Sequence, residues 1–192
     1  MMDKYKRSGK MVKRTVKILA YFAFVVLLAF VALVATSRSS VNGSSMFPGL
    51  RDGDEVFYLA AVPGVKIGRG DVVSIRLSDE DICKRIIGIE GDVIEIDPET
   101  ASVYRNGELL DEPYLGSPTT NCGNIIEPVT VRKGHFFVLG DNRQNSVDSR
   151  FNMADTDGQI PVEDILGKLV IVLYNRHEDA GILPPWDWRA VS

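Results

Sequence analysis

Cysteine and histidine are scarce in this chain, and their scarcity excludes several kinds of protein. Only two cysteines and two histidines occur among 192 residues. Two cysteines cannot build a disulfide framework, and neither stands in a CxxC spacing, although one bridge between Cys83 and Cys122 stays open. A structural zinc site takes four Cys or His ligands, so we expect no metal site. Because His135 adjoins an aromatic strand and His177 lies in a polar tail, neither is a convincing histidine base.

One long run of residues near the N-terminus carries no charge. Residues 18–35 contain no charged residue, no glycine and no proline. As a helix this run would be about 27 Å long, close to the hydrocarbon thickness of a bilayer. A cleavable signal peptide has a shorter apolar core, so we predict a retained anchor, with removal after Ala35 as the alternative.

The distribution of basic residues predicts how the anchor is oriented. Seven basic residues precede the run, and only Arg38 closely follows it. The positive-inside rule then predicts a cytoplasmic N-terminus, and a basic tail beside an apolar run favours a lipid bilayer over nucleic acid as partner. The predicted organisation is a cytoplasmic tail (1–17), a transmembrane signal-anchor helix (18–36) and an extracytoplasmic domain (37–192).

Beyond the anchor the sequence lacks any sustained apolar period of 3.6 residues, which favours β structure over helix. Turn residues separate short segments rich in β-branched and aromatic side chains. Asn106-Gly107 is a strong signal for a hairpin. The predicted fold is mainly β, an antiparallel sheet domain preceded by one helix. The predicted strands are 55–62, 71–77, 82–89, 136–139 and 165–174, with 111–128 as a loop.

A serine and a lysine in the β domain could carry out nucleophilic catalysis together. Ser45 stands just before Met46 and Pro48, in the stretch GSSMFPGL. A serine hydroxyl is a weak nucleophile until a base takes its proton. Lys84 is surrounded in sequence by isoleucines, and burial among them would lower the pKa of its amine. A Ser-His-Asp triad that uses His135 is the alternative.

Three motifs in this order resemble the bacterial signal peptidase I family: GSSMFPGL, DICKRIIGIEGD and GDNRQNSVDSR, which together run from residue 43 to 150. The resemblance implies a membrane-bound Ser/Lys endopeptidase that needs no cofactor and cuts signal peptides from secretory preproteins. It implies small residues before the cleavage site and a place in the plasma membrane. Residues 158–169 also resemble the strand that follows the last motif in the family.

The resemblance also implies a role for each matching residue. Ser45 matches the nucleophile and Lys84 the general base. Ser146 matches a serine that hydrogen-bonds to that lysine and orients it, while Asp148 and Arg150 match a supporting acid and base. The residues expected to form the oxyanion site and the substrate wall are Gly43, Ser44, Met46 and Pro48, and Asp141, Asn142 and Arg143 match a structural turn. Gly43 stands where some members carry a serine, so the oxyanion would rely on backbone N–H groups, chiefly that of Ser45.

Other functions stay open on the sequence alone. A sortase-like thiol transpeptidase would use Cys83 or Cys122 with His135. A self-cleaving repressor would need a DNA-binding head in place of the anchor. A membrane-anchored β-module without catalysis is the remaining alternative. The tail stretch LPPWDW carries Trp186 and Trp188, which would either meet lipid at the headgroup level or pack locally.

Overall fold

The computed structural model describes residues 2–36, 38–61, 64–77, 80–151 and 158–173. His177, Trp186 and Trp188 lie outside these ranges. The chain divides into two units, Met1–Ser37 and Arg38–Ser192.

The first unit is one helix, α1, over Met2–Thr36. Its segment Lys13–Val31 is long enough and apolar enough to cross a membrane, and none of that segment is buried. Large apolar side chains such as Phe22 and Phe30 are more than half exposed. Helical structure also covers the sequence that we predict to be the basic tail, which contains no proline and a single glycine, Gly9.

The second unit is built on a seven-stranded antiparallel sheet. Its strands follow the order β1-β2-β11-β3-β4-β9-β10. They are β1 (Arg38–Ser40), β2 (Glu55–Ala60), β3 (Val72–Arg76), β4 (Asp81–Gly88), β9 (His135–Leu139), β10 (Ile160–Pro161) and β11 (Ile165–Leu173). The prediction of a mainly antiparallel β domain behind one helix is thereby confirmed.

A four-stranded antiparallel sheet, in the order β7-β6-β5-β8, completes the fold. Its strands are β5 (Val93–Ile96), β6 (Val103–Arg105), β7 (Glu108–Leu109) and β8 (Val129–Thr130). The predicted Asn106-Gly107 hairpin joins β6 to β7, and both turn residues have positive φ, 54° and 81°. The stretch 111–128 contains no strand, as predicted for a loop.

Strand β4 separates apolar clusters on its two faces. Ile86 packs in a cluster with Val73 and Val138, whereas Ile87 packs with residues of the small sheet. A third cluster, which includes Met46 and Leu50, lies beneath the segment that carries Ser45. The alternation of side chains along β4 therefore sends Lys84 and Arg85 to opposite faces, as the pattern predicts.

Candidate active site

Ser45 lies in a tight segment between β1 and β2 that is fixed at both ends. Before it, the N–H of Gly43 donates to the Asp52 carboxylate at 2.7 Å, and Gly43 has φ of +85°. After it, Met46 is buried and its carbonyl accepts from the N–H of Leu50 at 2.9 Å. A serine at position 43 would be strained at that φ, which suits the glycine found there.

Lys84 reaches Ser45 from the middle of the large sheet. Its Nζ lies 2.9 Å from Ser45 Oγ and donates a second hydrogen bond of 3.0 Å to the carbonyl of Cys83. The side chain is only 3% exposed. Burial lowers the pKa of the amine, since a charged ammonium loses its hydration there, and Asp148, Cys83, Glu80 and Asp141 partly oppose that shift.

Asp148 and Arg150 form a fully buried ion pair behind this dyad. The Nε and Nη2 atoms of Arg150 donate to the two carboxylate oxygens at 2.8 and 2.9 Å, and both side chains are 0% exposed. Asp148 also accepts from the N–H of Gly140 at 3.0 Å. The pair is thus an interior element rather than a solvated surface pair, and removing one partner would leave a buried charge.

Ser146 does not make the hydrogen bond that the resemblance implies. Its Oγ is buried and has no hydrogen-bond partner among the described residues. Lys84 instead gives its hydrogen bonds to Ser45 and to the carbonyl of Cys83. Ser146 packs against Gly140 so closely that a Cβ on that glycine would lie 2.2 Å from Ser146 Oγ. Ser146 therefore does not form the expected hydrogen bond with Lys84 and instead packs closely against Gly140.

Two asparagines hold the segment that carries Ser45, and the sequence did not indicate this role. The backbone N–H of Asn142 donates to the carbonyl of Ser45 at 2.9 Å, and its side chain donates to the carbonyl of Ser44 at 3.0 Å. Asn145 donates to Ser44 Oγ at 2.7 Å. We predicted the Asp141–Arg143 stretch to be a structural turn, but it also fixes the backbone on either side of the nucleophile. The only sequence signal was the density of amides in GDNRQNSVDSR.

A cleft of about 360 Å³ exposes the dyad, a size within the range of ligand sites. Its lining residues include 39–46 and 80–84, and Gly43, Ser44 and Met46 are among them. Pro48 is not among the lining residues; it follows a cis peptide bond, is exposed and lies against Gly116.

His135 and Cys122, which the alternative functions would use, lie outside the cleft, and Cys83, which lines it, is a poor nucleophile near neutral pH. His135 is absent from the lining of the cleft, and its Nδ1 lies 2.8 Å from the carbonyl of Lys133. Cys83 and Cys122 are both free thiols, so the bridge left open by the sequence is not formed. Burial raises the pKa of Cys83 to about 11, which leaves little thiolate near neutral pH. Within the described ranges, no group of three or more His, Cys, Asp or Glu residues could hold a metal ion.

Comparisons with known proteins match the part of the chain that contains these residues. The family model described as "Signal peptidase, peptidase S26" matches residues 12–174. Signal peptidase I of Bacillus amyloliquefaciens is 38% identical over 148 residues, covering 72% of this chain and 74% of the relative. Signal peptidase I S of Bacillus subtilis (strain 168) is 34% identical over 147 residues, covering 72% and 77%.

A crystal structure of a signal peptidase I from Enterococcus faecalis V583 is 28% identical, covers 55% of this chain and 98% of that one, and has a TM-score of 0.44. The family model spans most of the chain, including Ser45, Lys84 and the 140–150 segment. The chain therefore belongs to the signal peptidase family of peptidases, peptidase S26.

Proposed function

We propose that this protein is a membrane-bound serine endopeptidase that removes N-terminal signal peptides from secretory preproteins, with Ser45 as nucleophile and Lys84 as general base. One observation carries the proposal. The amine of a lysine that is 3% exposed lies 2.9 Å from a serine hydroxyl on the wall of a cleft. A nucleophile and a base within hydrogen-bond reach are what acyl transfer requires.

The chemistry begins with a neutral Lys84. Its lone pair accepts the proton of Ser45 while Oγ attacks the scissile carbonyl. The backbone N–H of Ser45 stabilises the tetrahedral oxyanion, and the protonated amine then gives its proton to the leaving amino group. The same lysine deprotonates the water that hydrolyses the acyl-enzyme, which restores the free hydroxyl.

The proposed substrates and location follow from the family and from α1. The curated relatives are named as signal peptidases, which supports preproteins as substrates here. The apolar segment of α1 supports a membrane anchor, and the basic residues before it support a cytoplasmic N-terminus with the catalytic domain outside. The family resemblance supports small side chains before the cut.

The thiol transpeptidase and the passive module find less support. A transpeptidase would need a thiolate close to a histidine, whereas Cys83 has a raised pKa and His135 is absent from the cleft. Burying an amine destabilises the fold, because its charged form loses hydration. A module without catalysis would gain no activity that offsets this cost.

Substitution of the dyad tests the proposal. Ser45→Ala, Lys84→Ala and Lys84→His should each lower the rate of preprotein cleavage by about 10⁴-fold or more. The measurement is cleavage of a purified preprotein in detergent, with sequencing of the new N-terminus. Ser102→Ala and Lys66→Ala, which change residues outside the cleft, serve as matched controls. Full activity in a dyad variant with unchanged circular dichroism would contradict the proposal.

A further inference from the structure

The loop at residues 112–119 contacts each segment that carries the dyad, although it contributes nothing to the cleft itself. We propose that this 112–119 loop positions Ser45 and Lys84 relative to one another, with Tyr114 and Gly116 as its positioning residues. The proposal rests on the function proposed above.

The first contact is with the polar segment that holds the nucleophile. Arg143 is fully buried, and its guanidinium donates to Glu112 and, at 2.8 Å, to Thr119 Oγ1. The same guanidinium donates through Nε to the carbonyl of Gly140 at 3.0 Å. The loop therefore fixes residues 140–143, whose Asn142 binds the backbone of Ser45.

The second contact is with the neighbour of the general base. The guanidinium carbon of Arg85 lies 4.0 Å from the centre of the Tyr114 ring. Arg85 donates to both oxygens of Asp141 at 2.8 and 2.6 Å, with both side chains 1% exposed. The ring covers one face of this ion pair, excludes water from it and gains a cation–π contact. Because Arg85 follows Lys84 directly on β4, its position constrains that of the lysine.

The hydroxyl of Tyr114 links these two contacts. It donates to Glu112 at 2.7 Å, and Glu112 is the carboxylate that Arg143 binds. A single segment therefore spans the arginine beside the base and the arginine of the polar segment.

The third contact is with the nucleophile segment. A Cβ added at Gly116 would lie 3.1 Å from Cδ of Pro48 and 3.9 Å from Cδ1 of Phe47. The absence of a side chain at Gly116 lets the loop pack directly on the proline three residues after Ser45. A Cβ there would require a shift of a few tenths of an ångström at Pro48, which belongs to the segment that carries Ser45.

Gly116→Ala tests this contact with little risk to folding, because Gly116 is exposed and its φ lies outside the left-handed region. We expect kcat to fall about threefold to tenfold, since a displacement of about 1 Å can cost about 100-fold. KM should stay within about twofold, because neither Gly116 nor Pro48 lines the cleft. Gly68→Ala is the matched control, because a Cβ there meets nothing within 4 Å.

Substitutions at Tyr114 separate the ring from the hydroxyl. Tyr114→Phe keeps the ring over Arg85 and should retain kcat within about threefold. Tyr114→Leu removes the ring and should lower kcat by about 30-fold or more at a nearly unchanged KM. Tyr104→Leu, at a half-buried tyrosine of the small sheet, is the control. A purely structural role would lower the melting temperature and the folded fraction but leave kcat per folded molecule unchanged.

A measurement without turnover separates this proposal from the proposed function. The ¹³Cε signal of Lys84, identified by its loss in Lys84→Arg, should move in Gly116→Ala and Tyr114→Leu and stay in place in both controls. A wild-type protein that cleaves no preprotein would overturn the proposed function, and the signal would still decide the positioning claim. Unchanged kcat and an unchanged Lys84 signal in Gly116→Ala would overturn the role of the loop, even if Tyr114→Leu failed to fold.

Discussion

At the scale of single residues, the environment of Lys84 determines whether this site can work near neutral pH. A lysine in water has a pKa of about 10.4, so almost none of it is a free base at pH 7. Burial lowers the pKa of Lys84, chiefly through loss of hydration, and so favours the neutral amine more than water does. The carboxylates around it act in the opposite direction, so the site balances desolvation against negative charge.

The pH dependence of cleavage follows from this balance. We expect kcat/KM to rise with pH as Lys84 loses its proton, along a limb that lies below the range of an ordinary lysine. Glu80 raises the pKa of Lys84, so Glu80→Gln should move the limb to lower pH, while Glu108→Gln, at an exposed site, should leave it in place. A limb near pH 6.5 that disappears in His135→Ala would instead indicate a histidine base.

The contact between Ser45 and Lys84 could be predicted from sequence, but its surroundings could not. Ser45 and Lys84 stand in motifs whose resemblance to the family's motifs indicated that the two side chains would meet. The side-chain hydrogen bond of Asn142 joins residues separated by 98 positions, and no local pattern in the sequence indicates such a contact. The sequence likewise does not indicate that Ser146 Oγ packs closely against Gly140 without a hydrogen-bond partner among the described residues. The contacts of the 112–119 loop could not be predicted from sequence, because its composition indicates only a turn-rich connection.

At the scale of secondary-structure elements, the longer strands and the hairpin of β6 and β7 could be predicted from sequence, whereas β1 and β5 could not. Strands β2, β3, β4, β9 and β11 carry dense β-branched and aromatic residues, and each overlaps a predicted strand. Strand β1 is only three polar residues, and its pairing with β2 comes from tertiary structure. Strand β5 has only four residues and was not predicted from the sequence, although its isoleucines belong to the core of the small sheet.

The junction between the two sheets depends on Asp92, which lies between β4 and β5. Its buried carboxylate accepts from Arg69 at 2.6 and 2.8 Å, from Asn106 at 2.9 Å and from the N–H of Ile89 at 3.0 Å. Burial alone would raise the pKa of this group, but these donors outweigh it and lower the pKa to about 2. The folded state therefore favours the ionised carboxylate.

Asp92→Asn should destabilise the fold at neutral pH by about 2–4 kcal/mol, because it removes a charged acceptor from buried donors. Since the folded pKa is depressed, the wild type should lose this stability as the pH falls from about 4 to about 2, and the variant should lose less. Denaturant unfolding across that range gives the measurement. Asp111→Asn, at an exposed carboxylate, is the control, and an equal acid sensitivity in both variants would contradict the role of Asp92.

At the scale of the whole molecule, charge and hydropathy divide the chain unevenly. Residues 1–40 carry eight basic residues and one acidic residue, which leaves 14 basic and 25 acidic residues for the rest. Seven of the basic residues precede residue 18, whereas all but one of the acidic residues follow residue 40. The proposed orientation of the anchor rests on the basic residues before the apolar run, because acidic residues contribute little to membrane topology.

Removal of residues 1–36 should separate catalysis from membrane attachment. The truncated protein keeps β1, so we expect unchanged β-sheet circular dichroism and an undiminished kcat on a short soluble peptide. Its rate on a preprotein held in vesicles should fall by about 100-fold, because the anchor raises the effective concentration of enzyme near such a substrate. Equal rates of the two proteins on vesicle-bound preprotein would show that α1 contributes nothing to that encounter.

The residues that meet at the candidate site are widely spaced along the chain. The Ser45–Lys84 contact spans 39 positions and the Ser44–Asn142 contact spans 98, so a nascent chain cannot form both contacts until residue 142 has been made. Contacts between residues so far apart cost chain entropy, which slows their formation. On the proposed mechanism, peptidase activity would therefore await synthesis of residue 142.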